Sequence, residues 1–124
     1  MKSAALMFRN GIYKICYGLP SDTGGLEEHA LAVLRDGKLI GSDRHGSVFV
    51  GEPVCSTGPL ESFRIQLTIP PGGELITGYR AGPQGSILSL RGQFDPTLNI
   101  QTSRVDVAGG QVELRVAYLG PLPE

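Results

Sequence analysis

Strict alternation of apolar and polar side chains is the feature that most constrains what this chain can fold into. Residues 62–69, 86–94 and 111–118 each alternate in this way. A period of two sustained over about five residues indicates a β-strand with one buried face and one wet face. Antiparallel sheets give this pattern, because buried parallel strands are instead continuous apolar runs. The sequence therefore predicts an all-β, antiparallel protein.

Turn signals separate the alternating segments. The chain has 18 glycines and nine prolines among 124 residues. A helical bundle would not tolerate this many, because inside a helix a glycine costs about 1 kcal/mol and a proline about 3 kcal/mol. Asp36-Gly37 predicts a two-residue hairpin turn, in which both residues need positive φ. Residues 70–73 (Pro-Pro-Gly-Gly) and 108–110 (Ala-Gly-Gly) mark two further breaks.

Eight or nine short strands are predicted. They span residues 11–18, 28–35, 38–42, 47–50, 62–69, 75–79, 86–94, 98–107 and 111–118. Residues 26–34 are rich in helix formers, so a helix is the alternative there, but the Asp-Gly turn directly behind them favours a strand. We expect Pro53 to limit the continuation of the fourth strand as a central strand, because proline donates no ladder hydrogen bond.

An antiparallel meander of this length has to close or stack, because open edges invite aggregation. The many sequentially adjacent hairpins favour a small eight-stranded up-and-down barrel, with a two-sheet sandwich as the alternative. We expect a poorly ordered lead-in over residues 1–9, one domain over residues 10–119 and a short tail over residues 120–124. Met7 is an alternative to Met1 as the start of the chain.

Charge and cysteine content exclude several classes of protein. The net charge is −1 and the basic residues are scattered singly, so no nucleic-acid partner is expected. No apolar run approaches the length of a membrane helix, and the apolar stretch near the N-terminus is too short for a signal peptide. Two cysteines, Cys16 and Cys55, indicate reduced thiols in a cytoplasmic protein, because a disulfide-bonded secreted domain of this size carries more cysteines.

No motif for catalysis, cofactor binding or metal binding occurs. The chain lacks paired metal ligands such as Cys-x2-Cys, a Gly-x-Ser-x-Gly elbow and a phosphate-binding glycine loop. We therefore predict no catalytic residues, no metal and no cofactor. An enzyme remains the weakest alternative, because a pair of catalytic carboxylates is recognised only by its spacing in the fold.

Asp43, Arg44 and His45 form the most polar cluster, next to a predicted turn. His45 would be a general base or a pH-sensitive contact if the cluster were functional. The favoured interpretation is a solvated turn in which Asp43 accepts hydrogen bonds from local backbone amides.

One apolar face of the strands is predicted to form the barrel interior, either as packed core or as the wall of a ligand cavity. A buried tyrosine hydroxyl needs a partner, so Tyr13 or Tyr17 could orient a ligand. The predicted interior residues are Tyr13, Ile15, Tyr17, Phe63, Ile65, Leu67, Leu88, Leu90, Phe94, Val112, Leu114 and Val116.

Four short motifs follow one another in the first half of the chain. They are Gly11-Ile12-Tyr13, Asp36-Gly37, Gly41-Ser42-Asp43 and Phe49-Val50-Gly51. In their order and spacing, residues 10–51 resemble the GrlR family, negative regulators of type III secretion, and related small bacterial proteins. The resemblance implies a lipocalin-like or calycin-like eight-stranded barrel that forms a homodimer.

The resemblance also implies regulation by protein–protein contact. The family's characterised repressor sequesters a transcriptional activator and carries an acidic Glu-Asp-Glu-Asp loop after its fourth strand. This chain departs from that pattern, since residues 52–59 contain one acid, Glu52, and two prolines. We predict a non-enzymatic binding module that contacts a protein partner, with a carrier or sensor of a small apolar ligand as the alternative.

Overall fold

A computed structural model describes residues 8–20, 26–54 and 58–123, and all regular secondary structure in them is β-strand. The strands are β1 (Gly11–Gly18), β2 (Glu28–Arg35), β3 (Lys38–Asp43), β4 (Val48–Val54), β5 (Glu61–Ile69), β6 (Ser86–Phe94), β7 (Ile100–Val107) and β8 (Gly110–Gly120).

The eight strands form one antiparallel sheet that curls into a nearly closed barrel. Their order is β6-β5-β4-β3-β2-β1-β8-β7, so every neighbour except the β1–β8 pair follows directly in sequence. The predicted small eight-stranded antiparallel barrel is confirmed.

The barrel comes together at a seam between β6 and β7. Side chains bridge this seam: Ser103 Oγ donates to the carbonyl oxygen of Gln93 at 3.3 Å. Gln101 forms two hydrogen bonds with the backbone of Asp95, at 2.7 and 2.8 Å. Between the described parts of β6 and β7 there is no backbone ladder.

The turn between β2 and β3 has the predicted geometry. Asp36 has a φ of 53° and Gly37 a φ of 83°, which is the left-handed pair that a two-residue hairpin requires. Asn10 fixes the turn from outside, since its side-chain oxygen accepts the Asp36 N–H at 2.8 Å. The helix considered for residues 26–34 does not form, because these residues pair as a strand with β1 and β3.

The bounds of the fourth strand and the strand predicted over residues 75–79 differ from the structure. β4 continues to Val54, past the predicted end at residue 50. Its pairing with β3 ends at Gly51, so at Pro53 it has only β5 beside it and is no longer a central strand, as predicted. No strand forms over residues 75–79, where the pairing is reduced to a single bridge between Glu74 and Arg80. This stretch belongs to a loop over residues 70–85, and its Leu75 and Ile76 side chains line the barrel interior.

The packed core lies towards the end of the barrel where β1 begins. Its buried residues include Tyr13, Leu34, Phe63 and Phe94, and Phe8 packs against them. Of the lead-in predicted over residues 1–9, residues 1–7 lie outside the described residues. Phe8 and Arg9 are described, and both contact the barrel.

Candidate functional site: a cavity inside the barrel

A largely apolar cavity of about 540 Å³ lies inside the barrel. All eight strands contribute side chains to its wall. The lining residues are Phe8, Tyr13, Ile15, Tyr17, Glu28, Ala30, Ala32, Leu34, Leu39, Asp43, His45, Phe49, Phe63, Ile65, Leu67, Glu74, Leu75, Ile76, Leu90, Phe94, Val105, Val107, Val112, Leu114 and Val116.

Eleven of the twelve predicted interior residues line this cavity, and Leu88 does not. Leu88 is half-buried on β6, where its neighbours at 87 and 89 are exposed. Alternation along a strand identifies the inward face, but it does not show how far the cavity extends along the barrel. Leu88 therefore shares the face of Leu90 without reaching the cavity wall.

The sequence analysis assigned no face to β2, which supplies four lining residues. Its burial alternates strictly, with Ala30, Ala32 and Leu34 buried and their neighbours exposed. The period-two signal was present, but alanine and leucine are also helix formers. Because alanine side chains are short, Ala30 and Ala32 leave volume inside the barrel that larger residues would fill.

One end of the cavity is closed by aromatic rings. Phe8 packs edge-to-face against Phe63 and Phe94, with ring centroids 5.8 and 6.4 Å apart. The hydroxyl of Tyr13 donates to the carbonyl oxygen of Arg9 at 2.6 Å, which satisfies its hydrogen bond as burial requires. We call Phe8, Tyr13, Phe63, Phe94 and Tyr118 the aromatic end.

The opposite end carries hydrogen-bonded polar groups. The hydroxyl of Tyr17 donates to Asp43 Oδ2 at 3.1 Å. Asp43 Oδ1 accepts the backbone N–H groups of His45 at 2.9 Å and Ser47 at 3.1 Å, so the carboxylate closes the β3–β4 turn. Burial, followed by the negative charge of Asp43, raises the pKa of Tyr17 far above its usual value.

Glu28 joins this polar end from the start of β2. Its Oε1 atom lies 2.7 Å from His45 Nε2, and its Oε2 atom lies 3.3 Å from Arg44 Nη2. The hydrogen bond from the His45 ring is the main cause that lowers the pKa of Glu28. We call Tyr17, Glu28, Asp43 and His45 the polar end.

The structure therefore brings all three residues of the predicted polar turn together. Asp43 and His45 line the cavity, whereas Arg44 contacts Glu28 and does not line it. Sequence analysis did not place Glu28 at this turn, because it is 15 residues before Asp43 in the chain. Only the pairing of β2 with β3, in which Ala30 faces Asp43, brings it to this turn.

The loop of residues 70–85 lies at the same end as the polar groups. Glu74, Leu75 and Ile76 line the cavity. Thr77 Oγ1 donates to the carbonyl oxygen of Ala108 at 2.6 Å, which holds the loop against the turn between β7 and β8. The polar end is thus bordered by two turns and this loop.

Other reactive side chains lie away from the cavity. Cys16 is half-buried on β1, with its Sγ atom 3.6 Å from His29 Nδ1 on the neighbouring strand. Cys55 lies outside the described residues. In the described ranges, no group of three or more His, Cys, Asp or Glu side chains could hold a metal ion.

No helix suited to crossing a membrane occurs in the part of the chain that the structure describes. Comparisons with models of known families, with curated proteins and with solved structures gave no significant match.

Proposed function

We propose that this protein binds a small, largely apolar molecule inside the barrel, as a carrier or a sensor. The observation that carries the proposal is the cavity of about 540 Å³. Ligand sites typically have volumes of about 300–1,000 Å³, apolar walls and a few convergent polar groups. A fold that served stability alone would gain by filling this volume, because empty apolar space forfeits packing contacts.

The polar end supports binding rather than catalysis. A general acid or base works best with a pKa near the working pH. Here both pKa values are shifted away from neutral pH, since the pKa of Tyr17 is raised and that of Glu28 is lowered. At neutral pH Tyr17 stays protonated and Glu28 stays ionised, so neither is poised to exchange a proton.

A matched pair of tryptophan variants tests this proposal. The probe is N-phenyl-1-naphthylamine, an uncharged apolar dye, and its affinity is measured by fluorescence titration. Leu67 lines the cavity and the adjacent Gln66 is exposed on the outer face. We expect Leu67→Trp to weaken dye binding at least about ten-fold, because the indole occupies the cavity, and Gln66→Trp to bind as the wild type does.

Circular dichroism of both variants shows whether they keep the β-fold. If Leu67→Trp does not fold, Val116→Phe fills the same cavity with a smaller increase in volume. Absence of dye binding to the wild type, or equal binding to the inward-facing and outward-facing variants, would contradict the proposal.

A second function, contact with a protein partner, is favoured by an exposed apolar patch on the outer face. Val33, Ile40 and Val50 stand side by side on β2, β3 and β4, and their exposed fractions are 40, 59 and 44%. Leu31 and Val48 extend the patch and are 56 and 45% exposed. Contiguous apolar surface of this kind marks interaction sites. We call these five residues the outer patch.

Charge around the outer patch indicates what would cover it. Lys14 faces Leu31 across the β1–β2 pair, and Arg35 and Lys38 border the patch at the β2–β3 turn. None of these three cations forms a salt bridge with another described residue. The patch therefore fits a partner that presents an apolar surface flanked by acidic residues.

Comparative capture tests this second function. We expect a protein recovered with the wild type to be lost with Ile40→Arg and at high salt, but retained with Ile100→Arg. Ile100 is 64% exposed on β7, which is separated from the patch by β1 and β8. Retention of the same protein by Ile40→Arg would exclude the patch as its docking surface.

This proposal also includes a homodimer and a cytoplasmic location. It further includes membership of a GrlR-like or calycin-like family and a regulatory role. Light scattering after size-exclusion chromatography measures the mass against the 13.2 kDa of one chain. A dimer that Ile40→Arg dissociates would assign the outer patch to a second copy.

A further inference from the structure

We propose that the ligand of the cavity is a cationic amphiphile, with an apolar chain inside the barrel and an ammonium group at the polar end. This inference rests on the proposed ligand-binding function, because the same cavity holds the ligand. It adds the chemical class of the head group and the direction in which the molecule lies.

The ionisable groups of the cavity wall are unevenly distributed. Apart from tyrosines, they are three carboxylates, Glu28, Asp43 and Glu74, and one imidazole, His45. All four belong to the end of the barrel formed by the start of β2, the β3–β4 turn and the loop of residues 70–85. A ligand with one charged or polar group would place that group at this end, since the remaining wall is almost entirely apolar.

No lysine or arginine lines the cavity in the described ranges of the chain. Arg44 bonds Glu28 from outside the cavity and its side chain is 66% exposed, and Arg80, the bridge partner of Glu74, is exposed and does not line the cavity. Arg9 is at the aromatic end, where its guanidinium stacks on the Tyr118 ring at 3.8 Å. A carboxylate or phosphate head group would therefore meet three carboxylates and find no lysine or arginine in the cavity wall to pair with, which is unfavourable.

An ammonium group finds complementary acceptors at the polar end. It has three N–H donors and no acceptor, whereas a carboxylate has about four lone-pair sites. Glu28 keeps sites free beside its bonds to His45 and Arg44, and Asp43 keeps one on Oδ2 beside its bond from Tyr17. The phenolic oxygen of Tyr17 donates its own hydrogen to Asp43, which leaves its lone pairs free to accept. Glu74 adds a negative charge from the loop, and it has no salt bridge with another described residue.

Three ten-carbon probes of different head-group charge test the inference. Isothermal titration calorimetry at pH 7.5 compares decylammonium, 1-decanol and decanoate, each below its micelle concentration. We expect decylammonium to bind at least about ten-fold more tightly than decanoate, with 1-decanol between them, because the chain is common to all three and only the head group differs.

The outcomes separate the two proposals. If 1-decanol binds and decanoate binds as tightly as decylammonium, the head-group inference is wrong and the ligand-binding function stands. If none of the three probes binds, both are wrong.

Variants of Glu74 place the head group. This carboxylate is exposed on the loop, so its replacement leaves the barrel core intact. Glu74→Gln should reduce the preference for decylammonium over decanoate about three-fold, as removal of one exposed charge does, and Glu74→Lys should reduce it further. The matched control is Glu52→Gln on the outer face, where the preference should equal that of the wild type.

An unchanged preference in both Glu74 variants and in Glu28→Gln would contradict the position of the ammonium at the polar end. Thermal unfolding of Glu28→Gln, compared with that of the wild type, shows whether the variant is folded at the temperature of the titration.

Discussion

The two ends of the barrel are built from different interactions. The aromatic end consists of rings contributed by distant parts of the chain, and Phe8, Phe63 and Phe94 meet there within 6.4 Å of one another. The polar end consists of hydrogen bonds around Asp43, with groups that are partly exposed to water. Apolar burial contributes far more free energy per residue than exposed ion pairs do.

The difference indicates a division of roles between the ends. The aromatic end supplies stability and closes the cavity. The polar end contributes little to stability, so its side chains are free to be chosen for recognition. Substitutions at the aromatic end should therefore lower the free energy of unfolding by more than substitutions at the polar end do, and those at the polar end should mainly change ligand recognition.

The largest effect is expected at the aromatic end. Phe94 is 7% exposed and contacts both Phe8 and Phe63. Phe94→Ala should lower the free energy of unfolding by about 3–5 kcal/mol, because it removes buried ring contacts and leaves a void. Urea denaturation measures the change, with Ile87→Ala on the outer face as the control. A loss below about 1 kcal/mol would show that the rings are not the main support of the fold.

A smaller effect is expected from Tyr17 at the polar end. Tyr17→Phe removes one hydrogen bond to Asp43, which is worth about 1 kcal/mol. The sign of its pH dependence follows from the raised pKa. Below pH 10 the Tyr17 phenol is neutral in both the folded and the unfolded state. At higher pH this phenol ionises first in the unfolded chain, so the free energy of unfolding falls.

The wild type should therefore lose stability above pH 10 more steeply than Tyr17→Phe, as followed by circular dichroism during urea titrations. Identical alkaline profiles of the two proteins would mean that Tyr17 ionises as freely in the folded state as in the unfolded chain.

The smallest effect is expected from Glu28. Its pKa is lowered from 4.5 in the folded state, so the unfolded chain takes up the proton first as the pH falls. The ionised Glu28 side chain therefore contributes to the free energy of unfolding above about pH 4.5, and this contribution is lost below that pH. For a partly exposed pair it should stay below about 1 kcal/mol. Thermal unfolding between pH 7 and pH 3 should show a shallower acid loss for Glu28→Gln than for the wild type, and a steeper loss would contradict this sign.

Sequence patterns predicted most of the strands because each is a local signal. The bounds of β1, β2 and β6 follow from alternation and from flanking turn residues such as Asp36 and Gly37. The same reasoning failed over residues 75–79, where Leu75 and Ile76 have a strand-like composition. Their burial comes from the cavity wall and not from pairing with a neighbouring strand.

The cavity itself could not be predicted, because its volume depends on the summed volumes of the side chains that face one another across the barrel. Ala30 and Ala32 are buried in the interior as large residues are, but they fill less of it. Phe8 was assigned to the lead-in, since a single aromatic residue before a strand has no periodicity. The composition of the polar end depends on the pairing of β2 with β3, which brings Glu28 to the turn that contains Asp43 and His45.

The seam between β6 and β7 bears on how a molecule enters the barrel. Elsewhere, parting two strands breaks a ladder of backbone hydrogen bonds, whereas at this seam it breaks contacts between side chains and the Gln101–Asp95 and Ser103–Gln93 hydrogen bonds. The seam is therefore the line along which the wall opens at least cost. The rings close one end of the cavity, whereas the groups of the polar end are partly exposed to water, so the polar end and the seam are the two places where a molecule can pass between the interior and solvent.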